Sequence, residues 1–179
     1  MLNVSLKEWD TQVKALESGR VAVLFRKGGI ADQHGEFSFE NKFWLYPTFL
    51  HQNAGELNSE FTGLLRDNPH IGTVQISSYA TVQGCYKLED LSVIRQLEPL
   101  NCLSADALER KFKYRHKPYV HAFLVRVYTV QPMPILETPE YAGCVSWVQL
   151  ERGLDIKNPV LVLSDAAFTE IKTQLEGII

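Results

Sequence analysis

Arg26 and Lys27 close an apolar run and are followed at once by Gly28 and Gly29, in the stretch LFRKGGI. A guanidinium offers a planar fork of donors suited to phosphate or carboxylate, and an ammonium offers a point charge. Adjacent glycines permit positive φ and let a ligand come close to the backbone. The four residues together are a candidate anion site. The plain alternative is a glycine-bearing hairpin whose lysine discourages edge pairing. No G-x-x-x-x-G-K precedes a helix, so this is not a Walker loop.

Three further stretches carry groups of the same kind. In FWLYPTFLHQ, residues 43–52, the rings of Trp44, Tyr46 and Phe49 could stack on bases. Thr48, His51 and Gln52 add hydrogen-bonding groups; the alternative is a core strand ended by Pro47 and a turn histidine. Tyr46 and His51 are the candidates retained there. Arg126 lies inside AFLVRVYTV, on the strand face shared by Ala122, Leu124, Tyr128 and Val130. A guanidinium in an apolar strand must meet a carboxylate, reach water or await an anionic ligand. Glu40 and Glu89 are the acids to check as structural partners. ERKFKYRHK places Arg110, Lys111, Lys113, Arg115, His116 and Lys117 in one run, with Phe112 and Tyr114 interleaved. It is a local basic patch or a solvated helix end, since cations favour helix C-termini.

A different pattern suggests catalysis. Glu40 and Lys42 stand two apart, the E-x-K spacing of a metal-dependent nuclease, with Asp32 as a second carboxylate. There the acids would hold Mg²⁺ and the lysine would steady the attacking water. The triplet is common by chance, and Asp32 falls in a turn. Other chemistry is not indicated. The five histidines have no H-x-H or H-x-x-x-H spacing, so no resident metal or other cofactor is expected. No G-x-S-x-G elbow occurs, and the three cysteines are widely spaced.

The elements that must position these groups follow from periodicity. SLKE has capping-box spacing, with Ser5 at the N-cap and Glu8 three residues on. Leu6, Trp9, Val13 and Leu16 then predict a first helix ending near Gly19. RVAVLF reads as a strand covered on both faces, residues 27–35 as a polar turn, and residues 36–46 as the returning strand, stopped by Pro47. Residues 53–67 suggest a helix weakened by two glycines. Residues 73–88 alternate as a long strand, 88–103 give no clear pattern, and Ser104 caps a helix. YVHAFLVRVYTV is another long strand, and the three prolines of QPMPILETPEYAG predict irregular chain. CVSWVQL and PVLVL are strands, and Ser164 caps a terminal helix.

The expected fold is α+β: residues 1–179 as one globular domain, with a mixed, largely antiparallel sheet flanked by three to four helices and able to curl into a partial barrel. With 179 residues, 45% hydrophobic and 22% charged, disorder is not the expected state. A net charge of −3 excludes a global positive field for nucleic acid or anionic membrane, so a polyanion contact would be local. No apolar stretch approaches the roughly 18 residues needed to span a bilayer, and the first residues lack a signal peptide's pattern. A cytoplasmic protein with reduced thiols is the expectation.

EWDTQVKAL, LFRKGGI, FWLYPTFLHQ and YAGCVSWVQL, in this order, resemble the family called domain of unknown function 1802. The resemblance implies no activity and no catalytic residues; it implies an occasional association with restriction-type nuclease domains. From the residues, the leading expectation is a non-catalytic binding module for nucleic acid or a phosphate-bearing ligand, using Arg26, Lys27, Gly28, Gly29, Tyr46, His51 and Arg126. The alternatives are a Mg²⁺-dependent nuclease or phosphoesterase on Asp32, Glu40 and Lys42, and a protein-interaction subunit or homo-oligomer without its own ligand.

Overall fold

The computed structural model describes residues 1–27, 39–143 and 145–179. Gly28, Gly29 and Asp32, with most of the predicted 27–35 turn and the first residues of the returning strand, lie outside the described residues. Seven strands form one open, largely antiparallel sheet: β1 Leu2–Trp9, β2 Val23–Arg26, β3 Lys42–Thr48, β4 Thr73–Leu88, β5 Val120–Leu136, β6 Trp147–Leu154 and β7 Val160–Leu161. Their order is β2-β5-β4-β3-β1-β6, with β7 added on β5. The exception to antiparallel pairing is β1 against β3, in register from Ser5 opposite Trp44 to Trp9 opposite Thr48. Four α-helices are described: α1 Asp10–Glu17, α2 Leu91–Gln96, α3 Ala105–Lys113 and α4 Asp165–Ile178. The sheet curls but does not close into a barrel.

Strand alternation sorts the apolar side chains onto the faces of this curl. On β2, Leu24 points inward with Phe123 and Val125 of β5 and Leu6 of β1, and α1 adds Val13 and Leu16. Val23 and Phe25 point outward, under α2, α3 and α4, with Ala122 and Leu124. A third cluster, around Trp44, Tyr46, Tyr79 and Tyr141, covers the other face at the β6 end. By the same period of two, Arg26 follows Leu24 onto the inner face and Glu8 follows Leu6. The two ends of the curl therefore present opposite charges to each other.

Several sequence expectations hold. Ser104 and Ser164 cap α3 and α4, accepting from the amides of Ala107 and Ala167 at 3.3 and 3.2 Å. Gly19 ends α1 at φ 72°. Residues 88–103 resolve into α2, capped by Asp90, and a 3₁₀ turn at Glu98–Leu100.

Four expectations are corrected. Ser5 and Glu8 form no capping box: they lie in β1, the Ser5 hydroxyl donates to the Val148 carbonyl at 3.0 Å, and α1 begins only at Asp10. Pairing to strands on both sides overrides a local helix signal. Residues 53–67 are not an α-helix but two 3₁₀ turns, Ala54–Glu56 and Ser59–Leu64, because Asn53 and Asn58 each cap a separate short turn. Pro47 does not stop β3, which runs to Thr48. It lies beyond Trp44, the last residue paired to β4, so one side of the strand there needs no donor. Residues 131–136 are not irregular: β5 continues through Pro132 and Pro134 to Leu136, past its β2 and β7 partners and paired to β4.

The long β4 strand also departs from simple alternation. The register shift between Ile76 and Ser78 separates Val74 and Ile76, in the Tyr79 cluster, from Ala80 and Val82, which serve the inner one; a second shift follows between Val82 and Gly84. A break in the pairing re-aims the side chains that follow it.

Candidate functional site

A cavity of about 500 Å³ opens where several chain segments converge on one end of the curled sheet. The β1-to-α1 junction supplies Lys7, Glu8, Trp9 and Gln12. The end of β2 supplies Arg26 and Lys27, and the end of β3 supplies Thr48, Leu50 and His51. The approach to β6 closes another side with Gly143, Val145 and Ser146. One stripe of α3 and the residue that follows it, Ala107, Arg110, Lys111 and Tyr114, forms the facing wall. That stripe has the i, i+3, i+4, i+7 spacing of a single helix face.

The charges in the cavity do not balance. Among the described residues five cations, Lys7, Arg26, Lys27, Arg110 and Lys111, share it with two carboxylates, Glu8 and Glu56. Both acids are engaged. Glu8, 5% exposed, accepts from the Arg26 guanidinium through one oxygen and from Gln12 Nε2 at 2.8 Å through the other. Glu56 lies 3.3 Å from Arg110.

The cations differ in what they already hold. Lys7 donates to the carbonyls of Tyr141 and Gly143, the latter at 3.3 Å. Lys27 donates to the carbonyl oxygens of Phe112 at 2.7 Å and Tyr119 at 2.6 Å, and to that of Lys117. It thereby tethers the C-terminal end of α3, where cations are favoured. Burial, and the charge of Lys117, lower its pKa from the ordinary lysine value. Arg26, 7% exposed, spends one terminal nitrogen on Glu8, while its buried Nε has no acceptor among the described residues.

Lys111 is the cation left over. Among the described residues its ammonium has neither a hydrogen bond nor an ion pair. Burial lowers its pKa from the ordinary lysine value; Glu8 and Glu56 pull it up and Arg26 pushes it further down. The ammonium stands in the field of Glu8 and Glu56 without bonding either of them.

The remaining candidates are placed as follows. His51, exposed and at φ 62°, stands at the cavity mouth, an uncommon conformation for a residue other than glycine. The neighbouring Gln52 fixes this corner: its Oε1 accepts from the Thr11 amide and hydroxyl, each at 2.9 Å. Tyr46 points to the other face of β3, fully buried, with Lys7 5.4 Å from its ring centre. Its hydroxyl has no partner among the described residues, and burial raises its pKa above the ordinary phenol value.

Arg126 lies on the outer face of β5, away from the cavity. It bonds Asp165 of α4 at 2.7 Å and stacks 4.2 Å from the Phe168 ring centre. Its partner is thus neither Glu40 nor Glu89. Glu40 and Lys42 are exposed, and Lys42 lies over the Tyr79 ring at 4.7 Å. Neither lines this cavity. The basic run also divides: Arg110 and Lys111 face the cavity, whereas Lys113 pairs outward with Glu109 at 2.5 Å.

Sequence reasoning did not single out Lys7, and gave Glu8 a capping role instead of an ion pair. The α3 stripe was legible in principle, because Lys111 falls four residues after the buried Ala107.

A family model described as Domain of unknown function (DUF1802) matches residues 5–174, and the chain belongs to that family. No curated protein matches it. Among solved structures it is similar to ASCH from Zymomonas mobilis, at 15% identity and a TM-score of 0.52, covering 97% of this chain and 93% of that one. It is also similar to a tyrosine-to-phenylalanine variant of that protein, at 16% identity and a TM-score of 0.50, over 83% and 90% of the two chains. A serine-to-alanine variant matches at 15% identity and a TM-score of 0.50, over 96% and 94%. At these identities the likeness is one of fold. Among the described residues no helix is long and apolar enough to cross a membrane.

Proposed function

We propose that the chain is a non-catalytic binding module for nucleic acid or another phosphate-bearing ligand, and that the cavity between β1, β2, β3 and α3 is its site. The observation that carries this reading is Lys111, an ammonium with no partner among the described residues, beside an arginine whose buried Nε also lacks an acceptor. A site built to hold a fixed anion would contain that anion's charge in a carboxylate. Here both carboxylates are spoken for, and the positive excess awaits an acceptor from outside. Arg26 and Lys111 are the binding groups; His51 at the mouth and the Trp9 wall face whatever the anion is attached to. Lys27 holds α3 in place, and Arg126 contributes through the stability of the α4 side only.

The test is fluorescence polarisation with labelled single- and double-stranded oligonucleotides across a salt series. Phosphate contacts predict binding that weakens with salt, at a slope of about −0.7 per phosphate neutralised on a single strand and about −0.9 on duplex DNA. Lys111→Met is expected to weaken it at least tenfold. Binding that is flat in salt, or unchanged in that variant, would remove the reading.

A further inference from the structure

We infer that the group this cavity takes is a terminal phosphate, carried by a single-stranded end or a mononucleotide, and not an internal phosphodiester of a duplex. The inference rests on the phosphate-binding reading above and narrows it.

The first argument is depth. Arg26 is 7% exposed, so an acceptor for its Nε must project into the protein. A phosphodiester within a duplex is held on both sides by the chain and lies along a convex surface. A phosphomonoester hangs from one C–O bond and can reach inward.

The second is charge. The two donors that have no acceptor among the described residues, Arg26 Nε and the Lys111 ammonium, belong to residues that line one cavity. A diester phosphate brings one negative charge, whereas a monoester carries about −1.5 to −2 at pH 7 and three strong acceptor oxygens. Glu8, already held by Arg26 and Gln12, adds repulsion that the more highly charged group overcomes only by meeting both cations.

The third is size and lining. About 500 Å³ falls within the roughly 300–1,000 Å³ of small-molecule sites, enough for one nucleotide-sized group. Beside His51 the lining carries exposed apolar surface: Leu50 is 51% exposed and Val145 48%, with Trp9 at the junction of β1 and α1. A base resting there would cover surface that is otherwise open to water.

The experiment compares one single-stranded sequence with a 5′-phosphate, with a 3′-phosphate, or with hydroxyls at both ends, alongside the blunt duplex, by polarisation at fixed salt. Adenosine monophosphate and adenosine serve as competitors. A phosphate-ended strand is expected to bind at least tenfold more tightly than the hydroxyl-ended one. The monophosphate should displace it and the nucleoside should not. That advantage should vanish in Lys111→Met and in Lys111→Gln, with Arg126→Gln as a folded control and thermal melts to verify each variant. Equal binding of phosphate-ended and hydroxyl-ended strands, still salt-dependent and still sensitive to Lys111, would overturn the terminal-phosphate inference and leave the binding module standing. No binding of any probe would overturn both.

Discussion

Arg26 and Arg126 look alike in the sequence: each is an arginine inside an apolar strand run, and each could wait for an anion. In the fold they have opposite fates. Arg126 faces outward, and α4 brings it an acid and an aromatic ring, Asp165 at 2.7 Å and Phe168 at 4.2 Å. Arg26 faces inward, meets Glu8 of β1, and shares its surroundings with four other cations and a cavity. A buried arginine is therefore not a site by itself. What distinguishes the Arg26 region is the surplus of positive charge, among the described residues, around a concave space after their carboxylates have been used.

The strongest way to break this comparison is to remove the acid that Arg26 depends on. Glu8→Ala strands a nearly buried guanidinium among cations, and is expected to destabilise the fold by about 3–5 kcal/mol in urea titration. A loss below about 1 kcal/mol would mean that Glu8 is no more than a surface partner. Lys111→Met should act in two directions at once. It removes a partly buried ammonium that has no partner among the described residues, so the free protein should gain on the order of 1 kcal/mol of stability while ligand binding falls tenfold or more. Loss of stability instead would show that Lys111 has a structural partner.

A pH titration sharpens the same side. His121 stands opposite Arg26 in the β2–β5 register and is 6% exposed. Burial, then the charges of Lys87 and Lys27, push its pKa down to about 4 from 6.5. The unfolded chain then binds a proton that the folded one refuses. Stability should fall as pH drops from about 6.5 towards 4, and His121→Gln should flatten that slope. The smallest effect is expected at Arg126→Gln. Its acid is 87% exposed, so the pair should contribute about 0–1 kcal/mol, with no change in ligand affinity.

The sequence was legible where a local rule and the tertiary structure agree. Alternation placed Arg126 with Ala122 and Leu124, and hydroxyl caps marked the starts of α3 and α4. It misled where partners distant in the chain overrule the local signal. Ser5 to Glu8 spell a helix start, yet Leu6 lies beside Leu45 on one side and Trp147 on the other. Prolines at 47, 132 and 134 read as breaks, but each sits where a strand lacks one neighbour. The site was half visible for the same reason. Arg26, Lys27 and His51 are conspicuous as polar residues at the ends of apolar runs. Glu8 and Lys111 look like ordinary charges until the curl of the sheet brings residue 8 against residue 26 and both against α3.

The same curl makes the cavity a property of the whole chain. Its walls come from residues near 8, 26, 50, 110 and 145, five places that no short fragment contains together. The site cannot be lifted out as a peptide or grafted as a loop. Because β1 must find partners more than a hundred residues away, the recognition surface exists only once the last of them is in place. Such a surface doubles as a check on assembly, since a chain that has folded in part offers no pocket to occupy.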